Sequence, residues 1–355
     1  AARLDALLWE GEREAAQRML PRVGAAEAAL ARARIALQTR ADGVDALISA
    51  LPAAQAADPG LAHDRFRWRL AQGFTESAVQ LMADQDPANL GRPEAWAGQR
   101  ARFAREAMAE GEAALAYRLA ANHGLTDFGT AMADLEWLAG YIALRFLDRP
   151  EDAIRHFASL RNRSTSPITL GRAGYWEGRA QEAAGHADAA REAYAFGAQY
   201  QTAFYGLLAA EHLGMELDPA VIADPDYPDW HDTALVNSDL LQAAILLHDS
   251  GQWYEARRFT LQLAENLTEP DLLGALTQLW LDRGKPHFAL RIAKVAIGKG
   301  ILLPRAYHPV TELSEADLRV PADLALSIAR RESEFDYRVT SHADARGLMQ
   351  VMPFW

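Results

Sequence analysis

The chain contains no cysteine. That excludes disulfides and thiolate metal sites, and it leaves the compartment open, because extracytoplasmic and cytosolic proteins alike can do without the residue. No apolar run approaches the ~20 residues a membrane-spanning helix needs. The first residues, AARLDALLWEGE, lack the basic stretch followed by an apolar stretch that marks a secretory signal. The chain therefore reads as cytosolic or as having already lost a signal peptide. Basic charge is in deficit, with 36 Lys and Arg against 48 Asp and Glu, a net charge of −12. Phosphate binding wants a basic face, so neither nucleic acid nor an anionic membrane surface is expected as the main partner. The histidines are scattered, with no His-x3-His or His-Glu-x2-His pair, so no metal site and no cofactor is expected. His248 and His287 read as helix-surface residues. Gly171 to Gly178 lacks the Lys-Ser/Thr ending and the preceding strand of a phosphate loop. β-branched residues are scarce, and alanine, leucine, glutamate and arginine dominate, which favours helix throughout.

A chain of 355 residues exceeds what one core usually supports, so several domains or a repeat array are expected. One pattern recurs: an amphipathic helix, a turn marked by glycine, then a second helix with alanines at the crossing points. It appears around Gly11, Gly73, Gly111, Pro150, Gly185, Gly251 and Gly284. The spacings from Gly73 to Gly111 and from Gly251 to Gly284 are 38 and 33 residues. Periods of that size mark helix-pair solenoids of the tetratricopeptide type. The glycine would close the first helix in a left-handed cap, and the alanines would let each pair pack closely. Trp96, Trp137, Trp176, Trp253 and Trp280 recur at helical spacing. They read as inter-repeat core in preference to sugar-stacking platforms.

Two stretches break the pattern. Met215 to Asp232, rich in proline and aspartate, reads as a long loop between solenoid sections. After Gly300 the period is lost again. The expected organisation is a superhelical solenoid over 1–300, curved or ring-shaped, a linker over 301–320, and a new α domain over 321–355.

That last segment holds the arrangement best suited to chemistry. Pro321 suits the first position of a helix. Projected at 100° per residue, Leu324, Ala325, Ile328 and Phe335 share one face, and Glu332 falls among them. A carboxyl that continues an apolar stripe is expected to be buried. Burial raises its pKa, and the negative end of the helix dipole acts in the same direction. A carboxylic acid kept protonated near neutral pH can serve as a general acid. The alternative is a buried glutamate paired with arginine for structure.

The residues around Glu332 resemble a known pattern. IARRESEFDYRVTSHADARGLMQVMP is similar to the catalytic motif of the soluble lytic transglycosylases, bacterial enzymes that cut peptidoglycan. Their first block is an apolar helix ending in Glu-Ser, here Glu332-Ser333. Their second is Ser-x-x-Gly-Ala-x-Gly-Leu-Met-Gln-x-Met-Pro, here Ser341 through Pro353. Asp344 is the one departure, standing where the family has glycine. Aspartate tolerates a left-handed backbone better than most residues. Tyr175 to Gly214 and the Tyr307-His308-Pro309 stretch also resemble that family.

The resemblance implies a lysozyme-like catalytic domain carried by an all-helical superhelix, in the periplasm after signal-peptide removal. It implies Glu332 as the single acid and base, with Ser333 orienting it. Ser341, Gly347, Leu348, Met349 and Gln350 would line the sugar cleft. The expected partners are peptidoglycan glycan strands, with other cell-wall enzymes docking on the solenoid, and no cofactor. The implied reaction cuts the β-1,4 bond between N-acetylmuramic acid and N-acetylglucosamine and leaves a 1,6-anhydromuramic acid end. Family members continue well beyond the second block, so the catalytic domain is expected to be incomplete in this chain and the polypeptide as written to have little activity. The competing reading is a solenoid scaffold of a cell-wall complex with a catalytic remnant.

Overall fold

The fold is described from a computed structural model covering residues 1–223 and 225–353. Among the described residues all regular structure is helical, apart from two isolated β-bridges, Thr340 with Arg346 and Arg346 with Val351. The chain divides into two compact units, Ala1–Gly214 and Met215–Trp355.

The first unit is built of helix pairs joined by tight turns. Pro59–Ala71 pairs with Thr75–Ala83, Pro93–Ala109 with Ala113–Ala121, Thr130–Phe146 with Pro150–Arg163, and Pro167–Ala183 with Ala187–Gly197. The expected glycines close these turns in the left-handed region. Gly73 has φ 82°, and the N–H of the next residue, Phe74, returns to Arg69 O at 2.9 Å. This bond satisfies a carbonyl that the helix end would leave bare. The turn before Pro150 has no glycine, and Asp148 takes the left-handed conformation there, φ 52°.

Small residues set how closely the pairs approach. Ala104, Ala116, Ala139, Ala143, Ala153, Ala173 and Ala180 are fully buried. Gly171, Gly174 and Gly178 lie on one face of their helix. A side chain at Gly174 would strike the Gly197 backbone, and one at Gly178 would strike the Tyr194 ring. The glycine run is thus a helix-crossing seam. Trp96 is fully buried, and Trp137, Tyr141 and Trp176 meet edge to face or stacked between successive pairs. This agrees with the expectation of aromatic core. Phe204 remains largely exposed.

In the second unit, the described residues of Met215 to Asp232 carry the short helix Pro219–Ile222 and a 3-10 turn at Trp230–Asp232. Two further pairs follow: Asp239–Asp249 with Trp253–Asn266, and Pro270–Asp282 with Pro286–Gly298. Their core centres on Trp280, stacked on Phe288 at 4.4 Å. The segment expected as a linker adds Leu303, Ala306 and Tyr307 to this same core. The last α-helix among the described residues, Ala322–Glu332, adds Ala329, and the chain beyond it adds Phe335. The motif-bearing segment therefore shares one apolar core with the two helix pairs that precede it.

Candidate functional site

The helix Ala322–Glu332 begins one residue later than expected, with Pro321 at its N-cap. Ala325 and Ala329 are buried. Arg330 is half-buried and reaches back to the preceding segment. Its Nε–H donates to Tyr307 O at 2.8 Å, and its guanidinium lies 4.4 Å from the Tyr307 ring centre. Burial, with the nearby Arg330 charge, pushes the His308 pKa down. The Tyr307-His308-Pro309 stretch is thereby pinned to the helix that carries Glu332.

The orientation of this helix corrects one expectation. Leu324 and Ile328 are 48% and 40% exposed, and Glu332 is exposed as well. The buried line runs through the alanines, whose size lets the helix lie close to its neighbours. Phe335 does reach the core, but from beyond the helix end, where the 100° projection no longer applies. Glu332 is the last helical residue, and its carboxyl lies in solvent. It stands at the C-terminal, negative end of the helix dipole. The burial expected of Glu332 is not found.

The chain turns sharply after Ser333. Glu334 and Phe335 both adopt left-handed backbone conformations, φ 52° and 62°. For residues other than glycine each costs roughly 1–2 kcal/mol, so the surroundings must hold them. Phe335 is anchored by burial in the core. Glu334 is held by one face of Pro286–Gly298. The His287 Nδ1–H donates to Glu334 O at 2.9 Å, Arg291 donates to the Glu334 carboxylate at 3.1 Å, and Lys294 forms a short ion pair with its other oxygen. Burial would push the Glu334 carboxyl up, but the hydrogen bonds from Lys294 and Arg291 outweigh it and hold the pKa below the usual range. His287 is buried, which corrects its reading as a surface residue. Desolvation pushes its pKa down. That favours the neutral ring, which can donate to Glu334 through Nδ1 and accept from Arg257 through Nε2, 3.5 Å away.

The second block folds into a compact loop. The Ser341 hydroxyl accepts from the N–H groups of Ala343 and Ala345 at 3.2 and 3.0 Å, and Ser341 N–H donates to Ala345 O. Asp344 has φ 66°, the left-handed conformation that aspartate tolerates better than most residues, and its carboxylate holds the Arg346 guanidinium at 2.9 Å. Gly347 has φ 70°, and no atom lies within 4 Å of where its Cβ would stand, so it serves the turn and not a close approach. The Gln350 amide donates to Val339 O and Gly347 O at 3.1 and 3.0 Å. Leu348 and Met349 are half-buried against the second unit's core. Phe354 and Trp355 lie outside the described residues.

Ser333 joins the two blocks. Its buried hydroxyl lies 2.8 Å from Leu348 O and 3.0 Å from Ala329 O. Asp336 and Asp344 are the nearby carboxylates that could have partnered Glu332. Asp336 is buried and accepts from the Arg338 N–H at 3.0 Å, and Asp344 is paired with Arg346. Sequence reasoning missed Glu334, His287, Arg291 and Lys294. The available signal was the spacing of three donors at i, i+4 and i+7 on one helix.

Residues 311–355 match the family model described as Transglycosylase SLT domain. No curated protein matches the chain by sequence. Among solved structures, an inactive mutant of the lytic transglycosylase Slt from Pseudomonas aeruginosa is similar at 20% identity and a TM-score of 0.53, covering 98% of this chain and 58% of that one. The 70 kDa soluble lytic transglycosylase of Escherichia coli matches at 17% identity and a TM-score of 0.40, covering 99% of this chain and 68% of that one. The chain thus spans little more than half the length of the Pseudomonas protein. Residues 311–355 are thus similar to the Transglycosylase SLT domain, and the chain's all-helical fold is similar to that of the Pseudomonas structure.

Proposed function

We propose that the protein cleaves the β-1,4 bond between N-acetylmuramic acid and N-acetylglucosamine in peptidoglycan, leaving a 1,6-anhydromuramic acid end, with Glu332 as its single acid and base. The observation that carries this reading is the pair of motif blocks, matched within the 311–355 family segment and tied together through Ser333 and Leu348 O. The engagement of Asp336 and Asp344 supports a lone acid.

The Glu332 carboxyl is exposed in the free protein. A glycan lying over it would exclude water from the carboxyl and bring it against the glycosidic oxygen. Protonated Glu332 gives its proton to the leaving glycosidic oxygen. Many glycosidases steady the anomeric carbon with a second carboxylate. Here that part falls to the substrate's own N-acetyl group. Ionised Glu332 then takes the proton of the C6 hydroxyl, whose oxygen closes on the anomeric carbon without consuming water. Met349 and Gln350 stand nearest the glycan, and Gly347 and Leu348 form the floor. Ser333 and Ser341 frame the loop. The fragment from about 321 onward acts as the catalytic part, 301–320 joins it to the solenoid of 1–300, and the protein works in the periplasm. There its substrate lies, and other cell-wall enzymes can dock on the solenoid.

The test is mass spectrometry of peptidoglycan digested by the protein expressed from its complete reading frame. Anhydromuramic ends that disappear in Glu332→Gln support the reading. Reducing muramic ends point to a hydrolase, and absence of any cleavage points to the scaffold alternative.

A further inference from the structure

We infer that the solenoid helix Pro286–Gly298 is part of the catalytic apparatus: through His287, Arg291 and Lys294 it holds Glu334, and thereby fixes the helix end from which Glu332 projects. The inference rests on the transglycosylase reading for its chemistry, but its geometry stands apart from it. Glu332 is exposed and closes its helix, so its direction depends on how that helix terminates. The termination is unusual. Two successive residues other than glycine are left-handed, and a chain leaves that conformation unless its surroundings over-determine it.

Three donors from a single helix face meet Glu334. His287 takes its backbone carbonyl at 2.9 Å, and Arg291 and Lys294 take the two carboxylate oxygens, Arg291 at 3.1 Å. The carbonyl contact sets the peptide plane, and the carboxylate contacts set the side chain. Together they leave the turn little freedom. A second brace lies four residues on, where the Arg338 guanidinium sits 4.5 Å from the ring centre of Trp253, which itself stacks beside His287. Glu334 is therefore a positioning residue and not a catalytic one. Small displacements of a reacting group, of order 1 Å, can cost up to about 100-fold in rate.

The experiment uses the protein from its complete reading frame and the double variant Arg291→Met, Lys294→Met, which removes both charges while keeping apolar length. The first readout is amide hydrogen exchange over residues 329–338, where Ser333, Phe335 and Asp336 N–H groups are hydrogen-bonded within the turn. Exchange there should rise about tenfold, with the Trp280 core unchanged. The second is turnover of purified peptidoglycan: kcat should fall about tenfold with KM within twofold, and Lys294→Arg alone, which keeps the charge, should retain most of it. Unchanged exchange overturns the inference. So does a kcat within twofold of wild type, or a fall in kcat that merely follows a fall in melting temperature across all variants. If wild type and Glu332→Gln are equally inactive, the transglycosylase reading fails, and the exchange result alone decides whether the helix holds the turn.

Discussion

Replacing Gly174 by alanine should destabilise the first unit, although alanine is the better helix former. Gly174 lies within Pro167–Ala183 and faces Ala187–Gly197. A Cβ at this position would stand 2.6 Å from Gly197 Cα and N, and 2.9 Å from Ala193 O. These are backbone atoms, so no rotamer change can clear them. Carbon contacts settle at about 3.5–4.0 Å, and the two helices would have to part by roughly 1 Å. A gap of that size forfeits about a quarter to a half of the dispersion energy along the seam, where Ala173, Ala190, Ala193 and Tyr194 are buried. Overpacking a close-packed core costs about 1–3 kcal/mol, and with backbone as the obstacle the upper part of that range applies. Helix propensity returns up to ~1 kcal/mol. The expected net loss is about 2 kcal/mol.

Gly98 provides the matched comparison. It is exposed within Pro93–Ala109, and nothing lies within 4 Å of its would-be Cβ. Only the propensity term remains, so Gly98→Ala should stabilise by about 0.5–1 kcal/mol. Both positions belong to the same unit and should be followed by urea unfolding with far-ultraviolet circular dichroism, comparing midpoints at unchanged m-value. Opposite signs are expected. A Gly174→Ala protein as stable as wild type would refute the close helix crossing.

Three further outcomes follow from the polar interior. Arg34 is buried and donates to Asp64 and Asp5 at 2.7 Å each; Arg34→Leu should cost about 3–5 kcal/mol at pH 7 by stranding buried Asp64, and less near pH 4.5, because burial already raises the Asp64 pKa and readies it to protonate. Burial would raise the Glu136 carboxyl, but hydrogen bonds from His123, His156 and Ser159 hold its pKa at about 2 against an ordinary 4.5. A depressed carboxylate stabilises the fold above its unfolded value and loses that contribution as pH falls from 4.5 toward 2, about 3 kcal/mol at 1.36 kcal/mol per unit; urea midpoints of Glu136→Gln measured across that window should lack this part of the acid dependence. Ser333→Ala should remove the tie to Leu348 O at a cost of about 1 kcal/mol and raise hydrogen exchange in residues 345–350 while leaving the first unit untouched.

How far the fold could be read from the sequence depends on how local each cause is. The turn glycines were legible because a left-handed cap is a property of one residue and its two neighbours, and Gly73, Gly111, Gly185, Gly251 and Gly284 all adopt it. Asp148 fills the same role without the letter that signals it. The second block was legible for a similar reason. Ser341, Asp344, Gly347 and Gln350 bond almost wholly within their own loop, so their spacing carries most of their geometry.

The setting of Glu332 was only half legible. Periodicity placed it on a helix and a motif named it, but burial is decided by which face meets another element. A helix as small-faced as ALSIARRE can turn its alanines inward and leave Leu324 and Ile328 outside. The turn that follows it is held from 38 to 45 residues earlier in the chain, by the contacts of His287, Arg291 and Lys294 with Glu334. None of these stands out alone, and none has meaning until Glu334 folds back against them. If the exposed acid is to donate a proton, two things must be supplied from outside its own helix: a glycan to exclude water, and a held helix end to aim the carboxyl. On the transglycosylase reading proposed above, the first would come from the substrate and the second from the helix pair that precedes the motif.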